Sequence, residues 1–288
     1  MEISLLRSFL VLAATSNFGR AAVVLNLSQP ALSRQINRLE EEIGGLLFSR
    51  GRRGAQLTEL GRIFTVEARQ FVEQHDALLE RGRQIATGEV GELRIGFGFW
   101  AINVVTTSVL RFRHQYPDVR IRLEDLSSAD QARGLADGSL DIAFMRLTKD
   151  KTLLQYPLAA DYPVFVLPRD FPMADRMVSM KTLYDQPFVL IARDRAPDFH
   201  KAAMDLFERY GVRPNLVQEA SEFYSVQALV TAGLGVSLMP ASAVKLSIAG
   251  LRLRFVAASK QKWELGVAVR REQLPAPAKR FLNLLGID

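Results

Sequence analysis

The run Ala21-Ala22-Val23-Val24-Leu25-Asn26-Leu27-Ser28-Gln29-Pro30-Ala31-Leu32-Ser33-Arg34-Gln35-Ile36-Asn37-Arg38-Leu39-Glu40 holds the end of one helix, a break, and the start of another. Ser28 can cap the second helix, and Pro30 is tolerable in its first turn, where the N–H groups have no intrahelical partner anyway. Leu32, Ile36, Leu39 and Ile43 then fall on one side. The opposite face carries Pro30, Arg34 and Asn37, flanked by Ser33 and Arg38. Upstream, Ile3, Leu6, Leu10 and Ala13 give the period of a first helix, and Asn17 can cap the helix carrying Ala21, Ala22 and Leu25. Downstream of Gly44-Gly45, Leu46 to Arg50 and Ala55 to Leu57 can pair as a hairpin whose tip is Gly51-Arg52-Arg53-Gly54. Three helices followed by a hairpin predict a winged helix-turn-helix over residues 1–58.

Such a third helix can lay its N-terminal residues on base edges in a major groove. Gln29 can bond adenine bidentately, Ser33 can reach bases or phosphate, and Arg34 can fork onto guanine or hold phosphate. Asn37 and Arg38 extend this face, and Arg52 and Arg53 at the hairpin tip can follow the backbone or enter the minor groove. The formal charge of +6 suits an anionic partner, and residues 1–58 hold seven arginines against four acids. The plainer alternative is a solvated basic face on an ordinary helical domain.

Thr58 can cap a long helix reaching about Ala86, in which Leu57, Phe64, Phe71, Leu78 and Ile85 recur every seventh residue, with Ile63, Ala68 and Ala77 beside them. A stripe of this kind needs a partner, and a second copy of the chain is the expected one. Residues 59–88 are therefore read as a linker helix that dimerises.

From Glu92 onward strands and helices alternate: strand 93–97, helix 103–115, strand 119–124, helix 128–137, strand 140–145. This is a βαβαβ unit with a parallel sheet, and Ser128-x-x-Gln131 has the spacing of a capping box for its second helix. After a crossover near Asp161, strands 163–167, 188–191, 215–219 and 235–239 alternate with helices 199–210 and 223–232. Strand 264–269 and a helix near 277–285 close the chain and can cross back. Residues 89–288 thus read as a sensor domain of two α/β lobes, about 89–161 plus a C-terminal return and about 162–268, with a ligand cleft between them.

The chain has no cysteine, which excludes disulfides, thiolate nucleophiles and Cys-rich zinc sites, and no metal or other cofactor is expected. Its three histidines are widely spaced, and His114 and His200 are expected at solvated helix positions. No apolar run is long enough to span a bilayer, and no secretory leader is evident, so a reducing cytoplasm is the expected home. The rival reading is a nicotinamide-dependent enzyme built on residues 93–145, because Gly96-Phe97-Gly98-Phe99-Trp100-Ala101 fits a G-x-G-x-x-A fingerprint. Phe99 and Trp100 would crowd the pyrophosphate that such glycines admit, so no enzymatic activity is expected. A solute-binding protein of a transport system would share the two lobes, but the arginine-rich front domain speaks against it.

The whole chain resembles the LysR-type transcriptional regulators. The resemblance rests on the quoted run through Glu40, on Ile43-Gly44, Leu47-Phe48-x-Arg50 and Leu57-Thr58-x-x-Gly61, and on Gly138-Ser139-Leu140-Asp141-Ile142-Ala143 and Leu229-Val230-x-Ala232-Gly233-x-Gly235-Val236-x-Leu238-Met239-Pro240 in the sensor. It implies sequence-specific operator DNA as partner, with Gln29, Pro30, Ser33 and Arg34 as contact positions and Arg53 as the wing arginine. Glu40, with Leu39 and Ile43, is read as structural. The resemblance further implies lobes like those of type II periplasmic binding proteins, a small-molecule effector, and a tetramer made of two dimers. Arg195-Ala196-Pro197-Asp198-Phe199 and Glu219-Ala220 resemble the subgroup answering to aromatic-degradation intermediates. Where that subgroup has a small hydroxyl residue, this chain has Phe99-Trp100. The expected effector is a small organic acid with an aromatic body, held by Phe99, Trp100, Ser128, Arg146 and Phe199; the alternative is that Phe99 and Trp100 fill the cleft themselves. Trp100 and Trp263 are the only indoles, so a Trp263→Phe chain is expected to report on the pocket through Trp100 alone.

Overall fold

The computed structural model describes residues 2–51, 54–172, 183–245, 248–255, 261–272 and 274–287, and divides into two units, Met1–Gln84 and Ile85–Asp288. In the first unit, α1 (Ile3–Thr15) starts after Glu2 without a side-chain cap, whereas α2 (Phe18–Val24) and α3 (Gln29–Ile43) start where short polar side chains replace the missing intrahelical acceptors. Asn17 Oδ1 accepts from the Arg20 N–H at 3.0 Å, and Ser28 Oγ accepts from the Ala31 N–H at 3.3 Å. Leu5, Leu6, Phe9 and Leu12 of α1 meet Leu32, Ile36 and Leu39 of α3 in one core. Each of these buried side chains contributes roughly 1.5–3 kcal/mol.

The hairpin β1 (Phe48–Gly51) and β2 (Gly54–Leu57) is antiparallel, from Phe48 opposite Leu57 to Gly51 opposite Gly54. Its tip, Arg52 and Arg53, lies outside the described residues. Glu40 ties α3 to the hairpin: its Oε1 accepts the N–H groups of Leu47 at 2.7 Å and Phe48 at 3.0 Å. The 29-residue helix α4 (Glu59–Thr87) is capped by Thr58, whose Oγ1 accepts from the Gly61 N–H at 2.9 Å. Gly61 has to be glycine, because a Cβ there would lie 2.1 Å from the Leu47 carbonyl oxygen. The sevenfold stripe of this helix is divided rather than uniform. Phe64 packs on Phe9 at 5.4 Å and Ala68 is buried in the same core, whereas Phe71, Leu78 and Ile85 are 52 %, 72 % and 55 % exposed. Phe64 and Ala68 of the first turns thus pack into the chain's own core, while Ile63 beside them and Phe71 and Leu78 further along are exposed.

In the second unit, β3 (Gly91–Phe97), α5 (Ile102–Gln115), β4 (Val119–Asp125), α6 (Ser128–Asp137) and β5 (Ile142–Arg146) form the βαβαβ arrangement, with β3 parallel to both β4 and β5. Then β6 (Leu153–Asp161) runs to the second lobe, which contains β7 (Pro163–Pro168), β8 (Pro187–Ile191), α7 (Pro197–Arg209), β9 (Asn215–Ala220), α8 (Phe223–Thr231), β10 (Ser237–Pro240) and β11 (Leu251–Phe255). Strand β7 sits between β10 and β11, antiparallel to both, while β8 and β9 are parallel and a Phe188–Val236 bridge joins β8 to the segment before β10. The chain returns through β12 (Trp263–Arg270) and ends in α9 (Ala276–Leu284).

The first-lobe sheet has the order β4-β3-β5-β12-β6, with β12 antiparallel to both neighbours. The boundary expected at residue 268 therefore moves: the strand beginning at Trp263 belongs to the first lobe, because its backbone pairs there throughout. Strand β6 went unread because Pro157 interrupts it and its burial does not alternate, which an edge strand tolerates. Asp141, 1 % exposed, locks the first lobe: it accepts the Arg94 backbone N–H at 2.8 Å and holds the Arg94 guanidinium at 2.6 and 3.1 Å.

Candidate functional site

On α3 the apolar face is consumed by the core, so its polar face turns outward. Gln29, Pro30, Arg34, Asn37 and Arg38 are exposed and Ser33 is half-buried. Arg34 makes no ion pair among the described residues, which leaves its planar fork of donors free to contact a base or a phosphate. Arg38 is engaged already, paired with Glu2 at 2.9 Å and with Glu42 at 3.2 Å.

In the sensor, a cavity of about 250 Å³ lies between the lobes, at the carboxyl ends of β3, β4 and β5. Phe99, Trp100, Ser128, Arg146 and Phe199 all stand on its wall. A short 3₁₀ turn, Phe99–Ala101, follows β3 and sends its two large rings apart. Phe99 meets Phe223 of the second lobe edge-on at 6.4 Å, while Trp100 leans on Phe144 of the first-lobe core at 6.4 Å. They flank the space rather than fill it. Gly96, the first glycine of the apparent dinucleotide fingerprint, has a packing reason: a Cβ there would lie 2.6 Å from Leu140 Cδ1 and 3.1 Å from Gln131 Cγ.

The start of α6 differs from the expected capping box by one residue. Ser127 is the cap: its Oγ accepts from the Asp130 N–H at 3.2 Å and donates to Asp130 Oδ2 at 2.7 Å. Gln131 is fully buried: its Nε2 donates to the Leu126 carbonyl at 2.9 Å, just ahead of the helix, and its Oε1 has no hydrogen-bond partner among the described residues, so it does not accept the Ser128 N–H as the expected box requires. Ser128 Oγ instead accepts the Arg146 N–H at 3.1 Å, stitching α6 to the end of β5. The Asp130 carboxylate beside this helix start is paired with Arg133, and the cation facing the cleft from the first lobe is the Arg146 guanidinium. Arg146 makes no ion pair among the described residues, and burial lowers its pKa although Asp198 opposes the shift.

Sequence reasoning missed several residues of this cleft. Trp263 lines it, so a Trp263→Phe chain would alter the site it was expected to report on. Its indole carries the Arg146 guanidinium over its face at 5.2 Å and meets Phe199 edge-on at 5.5 Å. The Nε1–H groups of Trp263 and Trp100 are both buried without a hydrogen-bond partner among the described residues, a condition that costs about 1–3 kcal/mol each. Asp161 joins the lobes at the crossover: it accepts the Tyr162 and Ser242 N–H groups at 2.9 and 3.1 Å and the Ser242 hydroxyl at 2.5 Å. Arg195 pairs with Glu222 at 2.9 Å on the second-lobe wall. Partial burial and the nearby Glu222 carboxylate raise the Asp125 pKa, against Arg195. His200 is not a solvated helix position: its side chain is 14 % exposed and its Nε2 lies 3.3 Å from Glu219 Oε1, on a strand that sequence spacing cannot place beside it.

Residues 3–62 match the bacterial regulatory helix-turn-helix protein, lysR family, and residues 86–286 match the LysR substrate binding domain. The chain is 33 % identical over 288 residues to the uncharacterized HTH-type transcriptional regulator YnfL of Escherichia coli K12, covering 99 % of this chain and 97 % of that one. It is 36 % identical over 243 residues to the HTH-type transcriptional regulator CatR of Pseudomonas putida, covering 84 % and 83 % of the two chains. Its fold matches the crystal structure of CbnR, a LysR family transcriptional regulator, with a TM-score of 0.77 and 25 % identity over 99 % of this chain and 100 % of that one. CbnR has the same fold in a complex with its target DNA, at a TM-score of 0.78, 24 % identity and 99 % of each chain. The chain belongs to the LysR family: it is a DNA-binding transcriptional regulator with an effector-binding domain, not an enzyme.

Proposed function

We propose that this regulator reads operator DNA through the outer face of α3 and the wing, and that a small aromatic acid held between the sensor lobes sets its activity. The observation that carries the effector reading is the cavity of about 250 Å³ walled by Phe99, Trp100, Ser128, Arg146 and Phe199. That volume lies just below the roughly 300–1,000 Å³ usual for ligand sites, so it suits a single ring with one short polar group. Aromatic walls favour stacking and edge contacts with such a ring. The charges around it favour one acid group, not two. Asp125, Asp194 and Asp198 also line the cleft, Asp198 near enough to act on Arg146, while Asp161 is hydrogen-bonded by Tyr162 and Ser242, Glu222 is neutralised by Arg195 and Asp130 by Arg133. An anionic head is therefore welcome beside Arg146 and repelled elsewhere.

Calorimetric titration with benzoate, phenylpropanoate, hexanoate and phthalate checks this. Benzoate or phenylpropanoate should bind saturably and change operator affinity, hexanoate and the diacid phthalate should bind more weakly, and Ser128→Ala with Arg146→Ala should abolish the response. Equal response to all four acids, or none to any, would remove the aromatic-acid reading.

The working assembly in this reading is a homo-oligomer, a tetramer of two dimers, acting in the cytoplasm where its DNA lies. The exposed Phe71 and Leu78 on α4 support pairing through that helix.

A further inference from the structure

Trp263 belongs to both lobes. Its backbone opens β12 in the first-lobe sheet, opposite Asp161 of β6, yet its side chain is only 6 % exposed and is packed into the second-lobe core with Phe199. Through Phe199 and Phe223 it continues a row of edge-on ring contacts, at 5.5, 5.7 and 6.4 Å, that ends at Phe99 on the first lobe. A ring so placed contributes apolar area wherever its nitrogen points. The N–H is a separate matter, because it is buried with no acceptor among the described residues, and an indole donor so placed has lost its water without gaining a partner there. Phenylalanine would fill much of the same volume without that penalty. Directly over the indole face lies Arg146, whose guanidinium donors are likewise without an ion pair among the described residues. One corner of the cleft thus gathers a cation and an unused N–H, and holds them together by a cation–π contact.

We propose that Trp263 is an effector-binding and specificity-determining residue, whose Nε1–H and the Arg146 guanidinium together receive the carboxylate of the effector. This rests on the reading of the cleft as the site of a small acid. Two donors converging on one carboxylate discriminate a charged acceptor from a neutral one of the same shape, since hydrogen bonds to charged groups are about twice as strong. The N–H is buried in this structure, so an acceptor reaches it only if the packing between the lobes at this corner yields. Occupancy and lobe geometry are then linked through one side chain that both lobes hold.

The chain contains two tryptophans, so a full-length sample labelled with nitrogen-15 in the indoles gives two resonances, and Trp263→Phe assigns them. Sodium benzoate should move the Trp263 N–H proton downfield and slow its exchange with water. Replacing Trp263 by benzothienylalanine, which keeps the bicyclic shape and exchanges N–H for sulfur, should weaken benzoate binding roughly ten- to a hundredfold. Benzamide binding should change much less, so that the preference for the acid over the amide falls by roughly tenfold. Saturable benzoate binding by calorimetry with the Trp263 resonance unmoved, or with affinity unchanged in the sulfur analogue, overturns the inference and leaves the effector reading standing. Failure of benzoate, phenylpropanoate and hexanoate all to bind the unaltered protein removes both.

Discussion

The outer face of α3 and the cleft of the sensor each present a handful of polar and aromatic side chains, but they are made in opposite ways. The first comes from fifteen consecutive residues whose period alone decides which of them face outward. The second is lined from Gly98 to Leu265, by the ends of first-lobe strands and by loops of the second lobe. A face on one helix is specified by local rules of capping and periodicity, so its residue types translate directly into contacts. A cleft built from distant segments is specified by sheet pairing, and a one-residue change in where a strand starts alters which side chains reach it.

The sharpest way to test how local the DNA-reading surface is lies outside it, on α4. Phe71, half exposed, belongs to the part of the stripe that the protomer does not cover, whereas Phe64 is packed on Phe9. Phe71→Glu should leave the folded protomer intact, split the oligomer in sedimentation velocity, and lower affinity for a two-half-site operator by a factor of 10²–10⁴, about 3–5 kcal/mol, because the second contact is no longer intramolecular. Unchanged sedimentation would refute pairing through this helix and would leave the α3 face to act alone.

The legibility of the two regions follows the same division. Asn17, Ser28 and Thr58 could each be assigned as caps because each stands directly before an apolar or periodic helical run and its partner N–H lies three residues on. At α6 two serines stand side by side, each with a polar residue three positions on, Asp130 for Ser127 and Gln131 for Ser128, so spacing alone does not choose between them; in the structure Asp130 bonds Ser127 and Gln131 is buried. Strand β11 is missing from the reading of the sequence although the alternation Leu251-Arg252-Leu253-Arg254-Phe255 carries its signal, whereas β6, an edge strand holding Pro157, carries none. The five residues expected to hold an effector could be assigned to the cleft wall because they sit at strand ends or helix starts, where ligands gather in α/β sheets. Trp263 could not, since only the pairing of β12 with β5 and β6 carries it to the cleft.

Within the α3 face, two arginines one turn apart make an internal control. Arg34→Ala should cost roughly 1–3 kcal/mol of specific binding and relax discrimination at one base pair, as expected for loss of a bidentate contact. Arg38→Ala should cost less than about 1 kcal/mol, because its guanidinium is shared between Glu2 and Glu42 at the surface and has to leave them to reach DNA. Fluorescence anisotropy at fixed salt, on the operator and on single mismatches, separates the two. Equal losses would show that the ion pairs seen here do not restrain Arg38.

The smallest expected effect is the most direct comparison, because the same residue type makes the same hydrogen bond in both regions. Ser28 accepts an N–H three residues on at the start of α3, and Ser127 does so at the start of α6. Alanine at either position should cost about 1 kcal/mol of stability, within the roughly 0.5–2 kcal/mol range for lost caps. The functional consequences should differ. Loosening the first turn of α3 displaces Gln29 and Pro30, so Ser28→Ala should weaken operator binding by a few-fold whether or not an acid is present. Ser127→Ala frees Asp130 from its serine partner beside the cleft and loosens the turn that carries Ser128, which is bonded to the Arg146 backbone. It should shift benzoate affinity by a few-fold and leave operator binding by the acid-free protein unchanged. If Ser127→Ala alters operator binding without any acid, the empty sensor is already setting the reading head, and the two regions are coupled before a ligand arrives.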